Sequence, residues 1–591
     1  MGRSSVLTIT AVSCILFGSA AWQLNSHSSS AQAAQPQPPA QTALPAVATP
    51  APAAQSAQSA QAAQLHPVSA TISVATKPTS IPAQPTAAPG TEIYTAKRGE
   101  AIPTVARRYL GKTSYLTSSQ LADAIRAANH KSDASNILKA NETIIIPGIL
   151  AAPIIEKTIG VPKDFEVRAI YLTGVMAASD HGLRIIRHWR EVGGNAVVFD
   201  IKDSDGSVNI PFEHPLLGQH KVYIHDVPKF VRFLHQQNMH AIARIAMFRD
   251  ERMVVEHPDL AVHSRKTGQP WRENGKLVWT DPSNPQVQDY NIALAKHVAQ
   301  LGADEIQFDY VRFPAEGDQK DAAFVFQKDQ PADAAAQTAP VATPAANNSD
   351  VIPTAAQSAG GGTLRQPISQ QQSTGSQPTP KSAHHAVAHP APTAPQRSDV
   401  ITAFLKKAYA EIHPTGALLS LDVFGVMAWQ RQVDLSHTGQ DIVGMAHYCD
   451  VLSPMIYPSH FFGMDNIAHP GDEPAHFIGE SMARFELITH PNGDLSTGVV
   501  IRPWLQAFRW RTKTYSPEYI KIQVETARAK GGIGFLFWNA ANDYSKPYEA
   551  MPEMKAADQK DSKESPTAKP KFFRGDELPT ATIKAALLPG Q

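Results

Sequence analysis

From Val167 to Trp538 the chain alternates eight apolar strands with polar loops and seven amphipathic helices. The strands are expected at 167–173, 195–201, 240–247, 305–311, 418–424, 451–457, 497–503 and 532–538. Helical spacing is read at 183–192, 227–237, 287–301, 400–413, 442–448, 478–486 and 517–530. Parallel strands joined by helices bury both faces of their sheet, and eight such units predict an α/β fold closed into a (β/α)8 TIM barrel. An open, doubly wound sheet is the alternative. It calls for a glycine-rich phosphate turn after the first strand, and Thr173-Gly174-Val175-Met176 is not one.

The spacing breaks once. Roughly 110 residues separate the fourth and fifth strands, far more than a βα connection needs. Most of the excess is a block at about 327–397 that is rich in Ala, Gln, Pro, Ser and Thr. It reads as a disordered insertion in the fourth βα loop, on the face where barrels place their chemistry. Blocks of the same kind fill 28–90, and a polar, lysine-rich one fills 551–591. None holds the apolar mass to offset chain entropy, so all are expected to be disordered.

Segment 1–27 opens with Met-Gly-Arg3, followed by an apolar run from Val6 to Trp22. It reads as an export signal, and an uncleaved membrane anchor is the alternative. Ala34 lies somewhat far downstream for cleavage, and Cys14 lies inside the apolar run, a poor lipoprotein site. The expected location is therefore outside the cytoplasm: periplasm, cell wall or extracellular space. Lys+Arg and Asp+Glu balance at 53 each, so no basic footprint for nucleic acid is visible. With the signal removed, Cys449 would be the one remaining thiol, expected to be buried and inert.

The polar residues gather at strand ends. The second strand ends Asp200-Ile201-Lys202-Asp203, the third carries Arg244 and the fourth ends Asp309-Tyr310-Val311-Arg312-Phe313-Pro314. The fifth carries Asp422 with Trp429 beyond it; the sixth ends at Tyr457, the seventh at Arg502 and Trp504, and the eighth at Trp538-Asn539. Period-two alternation lets Asp309, Asp422, Tyr457 and Arg502 point inward at one end. Seven such ends predict a polar, aromatic-lined cleft. Sugar rings present apolar C–H faces that suit Trp and Tyr, and paired carboxylates suit glycoside hydrolysis. Asp309 is the expected nucleophile or base and Asp422 the expected general acid. Asp200, Lys202, Asp203, Arg244, Tyr310, Arg312, Trp429, Tyr457, Arg502, Trp504, Trp538 and Asn539 are the expected substrate contacts, with Asp200 and Asp203 a reserve carboxylate pair. Structural roles stand beside these: Asp309 could cap its turn or pair with Arg312, and Asp422 could bind Arg244 or Arg502. His447, His460 and His469 are scattered, so no metal and no cofactor is expected.

The stretches GNAVVFDIKDSDG, EIQFDYVRFP, LSLDVFGVMAW, LSPMIYPSHF and GGIGFLFWNA resemble a bacterial family of glycoside hydrolase-type domains built on a TIM barrel. FDYVRFP is the most specific of them. The resemblance spans about Val167 to Tyr544 apart from the insertion. It implies hydrolysis of O-glycosyl bonds, and the fourth-strand nucleophile of related α-glycosidase barrels falls on Asp309. The general acid does not transfer by resemblance.

Between Thr91 and Gly148 a shorter pattern of strand, two helices and strand is expected. Its stretches YTAKRGEAIPTVARRYL, IRAANH and ILKANETIIIPG resemble a LysM domain, here placed at 91–149. That resemblance implies binding to glycans containing N-acetylglucosamine, mostly peptidoglycan. The expected protein is an exported hydrolase of a bacterial polysaccharide or peptidoglycan-associated glycan, held at the wall. The alternative is a wall-bound scaffold with an inactive barrel. A deacetylase is a third reading, which commonly needs a metal with His and Asp ligands.

Overall fold

A computed structural model describes residues 87–132, 136–328, 395–491 and 498–564. The expected N-terminal signal or anchor, nearly all of the expected 28–90 linker, the core of the expected 327–397 insertion and the end of the expected tail lie outside the described residues.

Eight parallel strands close on themselves. In chain order they are Val167–Leu172, Ala196–Lys202, His240–Ala246, Glu305–Asp309, Leu418–Phe424, Val451–Ile456, a seventh in two pieces (Val500–Ile501 and Trp504–Gln506), and Gly534–Trp538. Each pairs in parallel with the next, and the eighth returns to the first through Phe537 beside Ile170. The barrel is therefore shut, with helices outside. Each expected helix is present, for example Asp180–Glu191, Pro285–Gln300 and Pro517–Ala529. Ser179, Asp226, Asn284 and Ser516 cap helices by accepting backbone N–H bonds, as short polar side chains do at the first turn.

Alternation along the strands sets two cores. Ile306 and Phe308 point outward, where Phe308 stacks on Phe404 of helix Arg397–Ile412 at 6.0 Å. Glu305, Gln307 and Asp309 point into the barrel, as their partners show. Glu305 binds Arg502 at 2.9 Å, Gln307 binds Asp422 at 2.8 Å and Asp309 binds Arg244 at 2.6 Å. An inner apolar cluster of Ala169, Val198, Ile242 and Leu536 is closed at the amino-terminal end by Ile159, Val161 and Phe165.

The strap carrying those three residues is fastened by charge. The Ile159 N–H donates to Asp304 Oδ1 at 2.6 Å, and the Thr158 hydroxyl to the Ala303 carbonyl at 2.9 Å. His235, from helix Val227–Gln236, bridges the carboxylates of Glu156 (3.1 Å) and Asp304 (3.0 Å).

The smaller unit is βααβ as expected: Thr91–Thr95 pairs antiparallel with Thr143–Pro147, and helices Ile102–Tyr109 and Ser118–Ala128 cover one face. Two boundaries differ from the sequence reading. The seventh strand continues past Pro503 to Gln506. Helix Ser545–Glu564 runs into the stretch read as a tail, because Ala550, Met551 and Met554 are buried against the barrel. Cys449 is buried, and burial pushes its thiol well up, as expected for an inert cysteine.

Burial disfavours the charged form of His235, but Asp304 and Glu156 outweigh it and raise the imidazole from 6.5 to about 9. A raised pKa in the folded state stabilises the fold fully below the unfolded value and is lost as pH climbs through the folded one. The urea midpoint should thus fall between about pH 6.5 and pH 9, by a few kcal/mol in stability. His235→Gln should flatten that slope; an unchanged slope would remove the strap from the account.

Candidate active site

At the carboxyl ends of the second, third and fourth strands, one guanidinium joins two carboxylates. Arg244 Nη1 donates to Asp200 Oδ1 at 2.5 Å, while Nη2 and Nε reach Asp309 Oδ2 at 2.6 and 3.1 Å. Arg244 is only 2% exposed, and a buried cation is tolerable only when paired and hydrogen-bonded. The Tyr171 hydroxyl completes the set, donating to Asp200 Oδ2 at 2.5 Å. Burial, opposed by Arg244 and aided by the charge of Asp203, pushes the Asp200 carboxyl up to about 7.

The other oxygen of Asp309 accepts the N–H of Tyr310 at 2.6 Å. That bond closes where the strand stops, because Tyr310 takes the left-handed φ of 53°. This conformation costs a non-glycine residue about 1–2 kcal/mol, and such outliers cluster at functional sites. It also ends the alternation, so Val311 packs into the outer core instead of following Asp309 inward. The Tyr310 hydroxyl accepts from Arg249 Nη1 at 3.0 Å, and its ring meets Trp279 edge-on at 5.9 Å. Arg312 sits just behind, between the rings of Trp279 (4.5 Å) and Phe424 (4.4 Å).

Asp422, from the fifth strand, is held differently. Its Oδ1 accepts from Gln307 Nε2 at 2.8 Å and from the Trp504 indole at 2.7 Å, and no cation is paired with it among the described residues. Burial, then the negative charge of Asp309, raise its pKa well above the usual carboxylate range, against a smaller pull from Arg244. Burial and the neighbouring charge thus favour the protonated form of Asp422 beside a carboxylate bound to arginine. Tyr171 stacks on Trp538 at 4.1 Å, Trp538 meets Trp504 edge-on at 5.6 Å, and Arg244 lies over Trp538 at 5.2 Å. Tyr457 is buried nearby, its hydroxyl raised by burial and by the charges of Asp422 and Asp309.

Residues 169–544, well over half of the chain, match the family model described as "Putative glycosyl hydrolase domain". The chain belongs to that family. Among solved structures, a hypothetical protein from Ruminiclostridium thermocellum ATCC 27405 is 37% identical over 26% of this chain and 80% of that one, with a TM-score of 0.24. The PgaB (BpsB) glycoside hydrolase domain from Bordetella bronchiseptica is 12% identical over 66% of this chain and 99% of that one, TM-score 0.41. The spore cortex-lytic enzyme SleL from Bacillus megaterium QM B1551 is 12% identical over 78% and 85%, TM-score 0.32. No curated protein matches.

Within this putative glycosyl hydrolase domain, Asp200, Arg244, Asp309, Tyr310, Asp422, Tyr457, Trp504 and Trp538 come together. Asp203 stands in the loop beyond Asp200, partly exposed and bonded to Ser204 at 2.5 Å. Four expected contacts lie elsewhere. Lys202 points out of the barrel, because a register shift after Asp200 turns it toward Asp250 at 2.7 Å and Asn291 at 3.1 Å. Arg502 does point inward, but to the opposite end. The seventh strand runs on to Gln506, so Trp504 faces the mouth, and Arg502 Nη1 donates to both oxygens of Glu305 about 13 Å below Asp309. Burial opposes the Glu305 charge, but Arg502 and His240 outweigh it and hold the carboxyl down at about 2. Asn539 is consumed by the turn after the eighth strand, bonding Ala507 O, Asp543 O and the Ala541 N–H. Trp429 leans on Phe461 and on Arg484 of helix Pro474–Thr489. The sequence reading passed over Tyr171, Arg249, Trp279 and Gln307. Gln307 could have been found, since it shares Asp309's face two residues earlier.

Arg244→Met leaves Asp200 and Asp309 buried without a cation, and should cost about 3–5 kcal/mol in urea unfolding. Asp200→Asn in that background should recover part of the loss, because one buried charge is removed.

Proposed function

We propose that the barrel hydrolyses an O-glycosyl bond, with Asp422 as general acid and Asp309 as nucleophile or base. One observation carries this: the two inward carboxyl groups sit in unlike surroundings, Asp309 bound to Arg244 and Asp422 buried on the neutral donors Gln307 and Trp504. Glycoside hydrolysis uses two carboxyls in unlike environments, one to give a proton and one to act as nucleophile or base. Asp422 gives its proton to the leaving oxygen, and Asp309 attacks the anomeric carbon or activates water. Arg244 and the Tyr310 N–H fix the direction of Asp309, while Trp538, Tyr310 and Tyr457 supply faces for sugar rings.

In the same reading the substrate is a bacterial polysaccharide or a peptidoglycan-associated glycan outside the cytoplasm. The 91–149 unit is a LysM domain that keeps the enzyme at the wall. Its βααβ order and the motifs YTAKRGEAIPTVARRYL and ILKANETIIIPG support that part, and the apolar N-terminal run supports export.

Reducing-end release from purified peptidoglycan and bacterial exopolysaccharides tests the chemistry. Asp309→Asn and Asp422→Asn should each lower the rate by about a hundredfold or more. Glycan binding without turnover by the wild type would favour the scaffold reading. The active form has Asp422 protonated, so activity should fall on the alkaline side. The Trp504 N–H favours the charged form of Asp422, so Trp504→Phe should move that limb to higher pH. The wall-holding part is separate: the full chain should sediment with insoluble peptidoglycan, and failure to do so would remove LysM retention while leaving the hydrolase intact.

A further inference from the structure

The loops after the sixth and seventh strands enclose a cleft of about 620 Å³, within the range of small-ligand pockets. Phe462, His469, Arg509, Trp510, Arg511 and Lys513 line it. A run of rings connects it to the barrel mouth: Tyr457 lies 5.5 Å from His460, and His460 lies 4.6 Å from Trp510. The Ser459 N–H donates to Gln506 Oε1 at 3.2 Å, which ties the cleft's inner wall to the seventh strand.

The cleft is cationic although the chain as a whole is neutral. Among the described residues none of Arg509, Arg511 and Lys513 is paired with a carboxylate. The one lining carboxylate, Asp472, turns the oxygen Oδ1 onto the loop itself, accepting from the Thr512 hydroxyl at 2.9 Å and the Lys513 N–H at 2.7 Å.

Arg511 is held in place. Its guanidinium lies over the rings of Phe462 (4.0 Å) and Trp510 (4.7 Å). Its backbone is left-handed at φ 47°, packed so closely on Gly471 that any Cβ there would overlap the Arg511 carbonyl. A guanidinium stacked by its faces keeps its in-plane N–H groups for a ligand, and that fork matches carboxylate, phosphate and sulfate oxygens. Burial, then the Arg511 charge, hold the neighbouring His460 down at about 3, so it stays neutral.

We propose that this cleft is a subsite for a sugar residue carrying an anionic substituent, a carboxylate or a phosphate or sulfate ester, which Arg511 binds with Arg509 and Lys513 around it. The inference rests on the glycoside hydrolase reading and adds charge selectivity to it: the glycan is acidic at the position this cleft contacts.

The test uses the full-length chain with ¹⁵N-labelled tryptophan, the Trp510 indole signal being assigned by its loss in Trp510→Phe. Glucuronate, glucose 6-phosphate and glucose 6-sulfate are titrated in turn, with glucose as the neutral control. At least one anionic sugar should shift the Trp510 signal saturably and about tenfold more tightly than glucose, and which one does so separates the sources of charge. Binding should weaken with added salt and fall about tenfold in Arg511→Ser. Arg509→Ser, on an exposed residue, should weaken it too, and serves if Arg511→Ser does not fold. Equal binding of glucose, no shift at Trp510, or full affinity in both variants would overturn the proposal. Reducing-end release from neutral glycans alone would also overturn it, while leaving the hydrolase reading standing. Anionic sugar bound at Trp510 without turnover of any glycan would do the reverse.

Discussion

Arg244 is the residue on which the upper half of the barrel depends. A guanidinium 2% exposed needs compensating negative charge, and it takes that charge from Asp200 on one neighbouring strand and Asp309 on the other. The pairing orients both carboxylates and uses up the available cation. Asp422, one strand further on, is left with neutral donors from Gln307 and Trp504 and with a charged Asp309 nearby. Burial first, then the charge of Asp309, favour the protonated form of Asp422. Asp309 and Asp422 thus differ because only one of them is bound to Arg244.

The barrel interior is layered along the fourth strand. Glu305, at the amino-terminal end, pairs with Arg502 and His240; Gln307 links this level to Asp422; Asp309 stands at the mouth. A buried ion pair of the lower kind adds little net stability, yet breaking it by removing one partner costs about 3–5 kcal/mol. The lower pair ties the third, fourth and seventh strands together one level below the upper cluster. The strained Tyr310 then ends the strand and returns its own N–H to Asp309.

Much of this was legible in the sequence, for definable reasons. Strands and helices in regular alternation, with an apolar face on every element, fix the closed barrel, and the insertion announces itself by composition. Asp309, Asp422 and Arg244 could be placed because period-two alternation carries side-chain direction to the strand ends. Direction failed where the backbone departs from ideal alternation: at the register shift that turns Lys202 out, and at Tyr310, whose left-handed φ no local motif announces. Arg502 was misjudged in height, because Pro503 reads as a strand end while the strand resumes at Trp504. Asn539 and Trp429 were drawn in by residue type, yet their contacts are with a turn and a helix. The difference between Asp309 and Asp422 could not be read at all, since it depends on which of three strands supplies the arginine.

The most direct test of that difference is infrared difference spectroscopy of the carboxyl groups at neutral pH, comparing wild type with Asp422→Asn. The account predicts a protonated carboxylic acid C=O stretch in the wild type that is lost in the variant. Loss of an ionised carboxylate band instead, with no protonated band removed, would contradict it.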